Sequence, residues 1–204
     1  FNDDYDIAWT MLSIAAFSGK KDLSSALPSP QMLNEELGTF SADVISWISA
    51  RYGTPVPRDA VRKICAELYF GTELAPGLYR LEIPMLSLHW EDLPLPVGVY
   101  TGRNLPEWQL AKKALGWQDF PDDRIIHSDT GIHKPSPEGL ELLSKRLGCT
   151  DPVFFGDTGS DMKAQAAFGK GHFVAIGELL PEADYIYDHT ESAVKEIISL
   201  IEEE

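Results

Sequence analysis

The pattern of apolar residues changes near Pro76-Gly77, and this change limits what the chain can fold into. In residues 5–70, apolar side chains recur at steps of three and four, which predicts amphipathic helices. One such face is formed by Ile7, Met11, Ile14 and Ala15. From about residue 84 onward, short apolar runs alternate with helical stretches. We therefore expect a small helical unit followed by an α/β unit.

The second part of the chain predicts a parallel sheet. Five short apolar runs are typical of buried strands, and they lie at residues 97–100, 124–127, 152–155, 173–176 and 185–187. Helical stretches accompany them at residues 106–115, 137–147, 162–168 and 192–201. This alternation favours right-handed crossovers, with helices on both faces of a parallel sheet. The predicted fold class is α/β with a Rossmann-like sheet.

The first part of the chain predicts a bundle of four helices. The first contains the apolar face described above, and a short helix follows at residues 31–37. Ser41-Ala42-Asp43 predicts the N-cap of a third helix, and Pro57 suits the first turn of a fourth. We expect Trp47 and Tyr52 in the core of this bundle, because large aromatic side chains are usually buried.

The charge of the chain restricts its partners. Its 204 residues include 17 Lys and Arg against 32 Asp and Glu, a formal net charge of −15. Nucleic acids and anionic membranes are bound through basic patches, so neither is expected as a partner. No apolar run approaches the roughly 20 residues that span a bilayer, and no signal peptide is recognised. We expect a cytoplasmic protein, for which the sequence predicts no particular oligomeric state.

Three polar motifs follow successive predicted strands, and the first is Thr101-Gly102-Arg103. The carboxyl ends of parallel strands meet at one edge of the sheet, where ligands bind. A hydroxyl group and the N–H groups beside a glycine, at the start of a helix, suit phosphate oxygens. An ordinary helix cap after a strand is the alternative interpretation.

The second motif contains Lys134 and follows the strand predicted at residues 124–127. Pro135 restricts the backbone beside Lys134, and Pro137 suits the start of a helix. The lysine is therefore expected near the sheet edge. A solvated loop lysine is the alternative.

The third motif is Gly156-Asp157-Thr158-Gly159-Ser160-Asp161. Asp157 ends a predicted strand and Asp161 begins a helix, so both carboxylates are expected in one crevice. Like charges at close range raise each other's pKa unless a cation joins them. Mg²⁺ prefers such hard oxygen ligands and leaves room for water and phosphate. Two carboxylates that only cap the helix are the alternative.

The order, spacing and strand-end position of these motifs resemble those of the haloacid dehalogenase (HAD) superfamily of hydrolases. Thr101 stands where that superfamily has the Ser/Thr of its second motif, and Lys134 stands where it has the lysine of its third. Residues 156–161 look like its fourth motif. The chain is most similar to the phosphoglycolate-phosphatase-like branch, and the resemblance extends over nearly its whole length.

The resemblance also implies a division into domains. Residues 5–75 would be a helical cap inserted after the first motif of the superfamily. Residues 76–204, together with residues 1–4, would be the α/β core. The cap would close the site and select the leaving group.

The resemblance further implies a Mg²⁺-dependent phosphatase that hydrolyses a small phosphorylated metabolite through an aspartyl-phosphate intermediate. The implied catalytic residues are Lys134, Thr101 and Asp157. The implied contacts to the substrate's phosphoryl group are Thr101, Gly102 and Arg103. The implied ligands of Mg²⁺ are Asp157 and Asp161.

The superfamily's first motif has no clear counterpart in this sequence. That motif is an apolar strand ending in Asp-x-Asp, whose first Asp attacks phosphorus and whose second is the general acid and base. Asp4-Tyr5-Asp6 has these letters but follows no strand, so we interpret it as coincidental. We expect the nucleophile just upstream of Phe1. Its strand would separate the strands at residues 97–100 and 152–155, which should then not pair directly.

Two other interpretations stay open. One is a different chemistry on the same scaffold, as in a phosphomutase, a phosphonate hydrolase or a dehalogenase. Lys134 together with Asp157 and Asp161 favours Mg²⁺-dependent phosphate chemistry, because dehalogenation needs no metal. The other is a non-catalytic HAD-like binding protein that lacks the nucleophile.

Overall fold

The computed structural model describes residues 3–40, 43–53 and 55–202. The chain divides into two compact units, Phe1–Glu82 and Ile83–Glu204. The first unit is helical, and the second contains all the described strands. None of the described helices combines the length and the apolar character needed to cross a membrane.

Helices make up the first unit, as the spacing of apolar residues predicts. They are α1 (Asp4–Phe17), α2 (Leu23–Ala26), α3 (Pro30–Leu37), α4 (Val44–Tyr52) and α5 (Arg58–Phe70), followed by a 3₁₀ helix at Leu78–Leu81. The described residues of this unit form no strand, although an isolated antiparallel bridge joins Gly71 to Pro76. Helix α2 was not predicted, because four residues are too few to show helical periodicity.

The predicted cap of α4 lies partly within the described residues. Ser41 and Ala42 lie outside the described residues. The carboxylate of Asp43 accepts hydrogen bonds from the N–H groups of Ile45 and Ser46, at 3.3 and 2.9 Å. Asp43 therefore satisfies two backbone donors that the start of a helix leaves without intrahelical partners.

Two tryptophans lie at the centre of the helical unit. Trp9 and Trp47 are buried and pack with Ile48 and Val61. Tyr52 is partly buried and packs against the same cluster. The prediction that Trp47 and Tyr52 belong to the core is confirmed.

Asp6 connects α1 to α5 through a buried carboxylate. Arg58 donates two hydrogen bonds to it, at 2.7 and 2.8 Å, and Arg62 donates a third at 3.3 Å. A carboxylate inside a helix and paired with two guanidinium groups has a structural role. This observation supports the interpretation of Asp4-Tyr5-Asp6 as a coincidental match.

The second unit has the predicted α/β composition. Its strands are β1 (Val99–Tyr100), β2 (Ile125–Ile126), β3 (Val153–Gly156), β4 (His172–Ile176) and β5 (Tyr185–Tyr187). Its helices are α6 (Leu105–Leu115), α7 (Glu138–Leu147), α8 (Gly159–Phe168) and α9 (Thr190–Glu202), with 3₁₀ helices at Trp90–Asp92, Asp122–Arg124 and Ser128–Thr130.

All strand pairs are parallel, but the strands are divided between two sheets. Strand β1 pairs with β2, and Tyr100 lies opposite Ile126. Strands β3, β4 and β5 form the second sheet, in which Gly156 lies opposite Ala175. Within the described residues, β1 and β3 do not pair with each other. The predicted parallel arrangement is correct, although backbone hydrogen bonds do not join it into one sheet.

Apolar side chains connect the two sheets. Tyr100 of β1 and Ile126 of β2 pack in one cluster with Leu140 of α7 and Ala164 of α8. Phe154 of β3 packs against this cluster and also against the cluster around Phe173 of β4. The ends of β1 and β3 are therefore held in one unit by side-chain packing.

Helix α8 begins at Gly159, three residues before the predicted start. The hydroxyl of Thr158 and the carboxylate of Asp161 form a capping box, in which each side chain accepts a hydrogen bond from the backbone N–H group of the other residue. Such a cap stabilises a helix start independently of apolar periodicity, so the apolar pattern alone underestimates this helix.

Gly139 and Gly159 both lie near the start of a helix, but they differ in how closely other atoms surround them. A Cβ atom on Gly139 would lie 2.5–2.7 Å from three ring carbons of Tyr100, whereas a Cβ on Gly159 would meet no atom within 4 Å. We expect Gly139→Ala to lower the free energy of unfolding by about 1–3 kcal/mol through overpacking. Gly159→Ala should be neutral or stabilising by up to about 1 kcal/mol. Chemical denaturation of both variants measures the difference, and equal effects would contradict the packing of α7 on β1.

Candidate functional site

The three polar motifs follow β1, β2 and β3 at the ends predicted for them. Thr101 directly follows β1, and Asp157 directly follows β3. Lys134 lies in the loop between β2 and α7. Because each of these strands belongs to a parallel pair, its carboxyl end lies at the same edge as that of its partner.

Lys134 is not a solvated loop lysine. Only 13% of its side chain is exposed, and its Nζ atom lies 2.5 Å from Oδ1 of Asp161. The same Nζ atom lies 5.8 Å from the ring centroid of Tyr100, a distance that suits a cation–π interaction. These contacts join the loop after β2 to both β1 and α8.

Tyr100 provides a neutral surface beside this ammonium group. Its hydroxyl donates a hydrogen bond to the carbonyl oxygen of Ser136, at 3.1 Å. Burial, together with the negative charges of Glu138 and Asp161, raises the pKa of Tyr100 to about 12. The phenol is therefore protonated at neutral pH. It anchors the lysine loop to β1 without adding charge.

Asp161 has partners for both of its carboxylate oxygens. Oδ1 accepts a hydrogen bond from Lys134, and Oδ2 accepts from the N–H group of Thr158 at 3.0 Å and from its hydroxyl at 2.5 Å. The side chain is buried, with 3% exposed. The capping role considered for this residue is therefore present. Three accepted hydrogen bonds leave Asp161 with little acceptor capacity for a metal ion.

Gly156 makes this arrangement possible. A Cβ atom at this position would lie 2.4 Å from Cβ of Asp161. The absence of a side chain at the end of β3 lets the first turn of α8 approach the strand closely.

Asp157 differs from Asp161 in its exposure and in its hydrogen bonding, two properties that affect whether a carboxylate can bind a metal ion. Its side chain is exposed, and it makes no hydrogen bond or ion pair with the described residues. Together with Asp188 and His189 it lines a cavity of about 400 Å³. A free carboxylate suits a hard cation such as Mg²⁺. The described residues include no group of three or more His, Cys, Asp or Glu side chains close enough to hold a metal ion alone.

Such a donor set still suits Mg²⁺. This ion usually keeps several waters and takes only one or two carboxylates from the protein, together with phosphate oxygens from the substrate. One free carboxylate beside an open cavity is compatible with that preference.

Thr101 forms a turn and is not the cap of α6. Its Oγ1 accepts a hydrogen bond from the N–H group of Arg103, at 3.2 Å. The cap is Asn104, whose side chain accepts from the N–H group of Glu107 in a complete capping box. The helix-cap alternative for Thr101 is therefore wrong, because Asn104 fills that position.

The turn is joined to the neighbouring strand. The N–H group of Thr101 donates to the carbonyl of Ile126 at 2.9 Å, and the carbonyl of Arg103 accepts from the N–H group of Ser128 at 3.0 Å. Gly102 is exposed, and no atom lies within 4 Å of the position of a Cβ. The loop after β1 thus has a fixed backbone and an open position at its tip.

Asp188 and His189, which directly follow β5, were not predicted from the sequence as candidate site residues. They line the same cavity as Asp157. Their position after a predicted strand is the same signal that identifies the other three motifs. This position alone did not identify them, because no other polar residue at a fixed spacing completes a motif with these two residues.

Comparisons with known proteins agree with this fold. Residues 83–169 match the family of haloacid dehalogenase-like hydrolases. A Bacteroides fragilis protein assigned to the haloacid dehalogenase-like hydrolases has a similar structure, with a TM-score of 0.51 and 17% identity over 93% of each chain. At this identity the similarity concerns the fold.

A second similar structure is a HAD-superfamily hydrolase of subfamily IA from Geobacter sulfurreducens. It has a TM-score of 0.43 and 18% identity, over 96% of this chain and 92% of that one. No curated protein shows significant similarity to the sequence.

The two aspartates of the third motif should differ in their effects on stability. Asp161→Ala leaves Lys134 without its buried partner and removes a helix cap, so the free energy of unfolding should fall by about 3–5 kcal/mol. Asp157→Ala removes no hydrogen bond or ion pair with the described residues and should change the free energy of unfolding by no more than about 0.5 kcal/mol. Urea denaturation monitored by tryptophan fluorescence measures both. Similar losses in the two variants would contradict the assigned difference in environment.

Proposed function

We propose that this chain, whose residues 83–169 match the haloacid dehalogenase-like hydrolases, is a Mg²⁺-dependent phosphatase for a small phosphorylated metabolite. The observation that carries the proposal is the buried contact between Lys134 and Asp161, beside the end of β1. A largely buried ammonium group at the carboxyl ends of parallel strands is suited to an anionic substrate. The domain match itself supports a hydrolase.

Lys134 is proposed to stabilise negative charge on the phosphoryl group. A lysine ammonium has three N–H donors, and Asp161 occupies one of them. The remaining donors are available to phosphoryl oxygens. Because the group is largely shielded from water, its interaction with a developing negative charge is stronger than it would be at the surface.

Thr101, Gly102 and Arg103 are proposed to bind the other phosphoryl oxygens. The hydroxyl of Thr101 accepts from a backbone N–H group, which leaves its own proton available for donation. The open tip at Gly102 allows close approach of a phosphate to the backbone.

Asp157 and Asp161 are proposed to hold Mg²⁺, with the free carboxylate of Asp157 as the principal ligand. When bound, the ion would offset charge on the transferred phosphoryl group. Asp161 would contribute mainly by fixing Lys134 and the start of α8, since both of its oxygens are occupied.

The proposed reaction also needs a carboxylate nucleophile. An Asp oxygen would attack phosphorus and form an aspartyl-phosphate while the bond from phosphorus to the ester oxygen breaks. A second Asp would give its proton to the departing alkoxide and then take a proton from the water that cleaves the acyl phosphate, releasing inorganic phosphate. We propose that both lie on a strand between β1 and β3, which do not pair in the described part of the chain.

Other chemistries on this fold remain as second candidates. A phosphomutase, a phosphonate hydrolase or a dehalogenase would use the same scaffold. The other candidate is a non-catalytic binding protein that lacks the nucleophile, because Asp6 is engaged by Arg58 and would not supply one. Formation of an acid-stable but hydroxylamine-sensitive phosphoprotein would support the enzyme and contradict the binding protein.

Replacement of Lys134 tests the catalytic proposal directly. In the full-length protein with Mg²⁺, Lys134→Ala should lower kcat for phosphate monoesters by about 10²- to 10³-fold, because a donor to the transition state is lost. Lys163→Ala is the matched control, since Lys163 is exposed and makes no hydrogen bond or ion pair with the described residues. Steady-state kinetics on a panel of phosphorylated metabolites measures both.

Since Lys134→Ala also removes a partner of Asp161, its folded fraction is determined by circular dichroism and the rate is corrected for it. Unchanged turnover per folded molecule would reject the role of Lys134.

The metal proposal is tested by binding. Asp157→Ala should weaken Mg²⁺ or Mn²⁺ binding by more than about tenfold, because the principal ligand is lost. Asp161→Asn should weaken it less. Isothermal titration calorimetry on the folded variants measures the affinities, and Asp151→Asn serves as a control because Asp151 is exposed and lines no part of the cavity. Equal affinity in the Asp157 variant and the wild type would contradict the proposal.

A further inference from the structure

The cavity that contains Asp157 lies at the carboxyl ends of three strands. Phe155, Gly156 and Asp157 contribute from the end of β3, Ile176 from the end of β4, and Asp188 from the residue after β5. Its volume of about 400 Å³ is in the range of small-molecule sites. Because it opens beside the proposed metal ligand, its walls would meet the part of the substrate that remains attached to the phosphate.

Three of the residues that line this cavity are apolar, namely Met85, Phe155 and Ile176. Met85 is 56% exposed, so its side chain is accessible to a ligand in the cavity. Methionine is flexible and polarisable, and it packs well against irregular apolar and aromatic groups.

Hydrogen bonds of Ser87, two residues after Met85 in the sequence, hold the backbone that carries Met85. The N–H group and the hydroxyl of Ser87 both donate to Oε2 of Glu191, at 2.8 and 2.7 Å. Lys195 donates to the other oxygen of Glu191 at 2.5 Å. These contacts lower the pKa of Glu191 to about 2, so the acceptor is charged at neutral pH. Met85 is therefore attached to the start of α9.

Two of the lining residues are acidic. They are Asp157 and Asp188, and neither makes a hydrogen bond or ion pair with the described residues. His189 is the remaining titratable side chain, and no Lys or Arg is among the described lining residues. A bound Mg²⁺ would offset Asp157, but Asp188 would still repel a negative group. An anionic leaving group would have no cation to pair with here.

We propose that the substrate is a phosphate monoester of an uncharged alcohol whose apolar portion packs against Met85. This inference rests on the proposed phosphatase function and specifies its substrate class. The cavity selects against phosphorylated carboxylic acids, because a second negative charge would lie near Asp188. Met85 is the residue that determines specificity for the apolar portion.

Non-hydrolysable phosphonates test the substrate class without turnover. The probes are methylphosphonate, phenylphosphonate and phosphonoacetate, titrated into the full-length protein with Mg²⁺ and followed by calorimetry. Phenylphosphonate should bind most tightly and phosphonoacetate least tightly. Met85→Ala should weaken phenylphosphonate binding by roughly tenfold and leave methylphosphonate binding unchanged. Met32→Ala is the matched control, because Met32 is similarly exposed, at 60%, and lines no part of this cavity.

A second variant tests the effect of the acidic lining residue Asp188. Asp188→Asn should strengthen phosphonoacetate binding by about fivefold, since one like charge is removed at close range. It should leave phenylphosphonate binding unchanged, and Asp151→Asn should change neither affinity.

The outcomes separate the two proposals. If all three phosphonates bind but phosphonoacetate binds most tightly, or if Met85→Ala weakens all three equally, the substrate class is overturned and the phosphatase proposal stands. If none of the three binds in the presence of Mg²⁺, the phosphatase proposal fails and the substrate class fails with it. The predicted order of affinities, with the selective effect of Met85→Ala, supports both.

Discussion

The site of this protein depends on one buried ion pair between Lys134 and Asp161. The lysine comes from the loop after β2, and the aspartate comes from the helix after β3. These strands belong to different sheets, so no backbone ladder aligns their ends within the described residues. The ion pair, with the apolar cluster around Tyr100, performs that alignment. Removal of either charge would leave the other buried and unpaired, which is the costly case for such pairs.

Two aspartates four residues apart have separate roles because their surroundings differ. Asp161 is buried and fully hydrogen-bonded, and it organises the start of α8 and the position of Lys134. Asp157 is exposed and has no partner among the described residues, which leaves its charge available to a ligand. One motif thus contains both a buried, hydrogen-bonded carboxylate and an exposed one without a partner among the described residues. The absence of a side chain on Gly156 lets Asp161 lie close to the end of β3.

The local features of the fold were predictable because they depend on short-range physics. Parallel strands follow from apolar runs separated by helices, and helix starts follow from capping side chains such as Asp43. It was harder to predict which of several neighbouring polar residues caps a helix. Thr101 and Asn104 are both good caps, and Asn104 takes the position because Glu107 completes its capping box. The division of the strands between two sheets depends on which edges pair, and that is a long-range property.

The sequence by itself determined the α/β class, the helical character of the first part of the chain, and the loops that carry Thr101, Lys134 and Asp157. These features follow from periodicity and from the rule that strand ends meet at one edge of a sheet. Only the tertiary structure decided which of two similar aspartates pairs with Lys134, and that Met85 and Asp188 share a cavity with Asp157. Met85 and Asp188 are separated by about a hundred residues of chain. Their proximity is set by the packing of distant segments, which local sequence patterns do not encode.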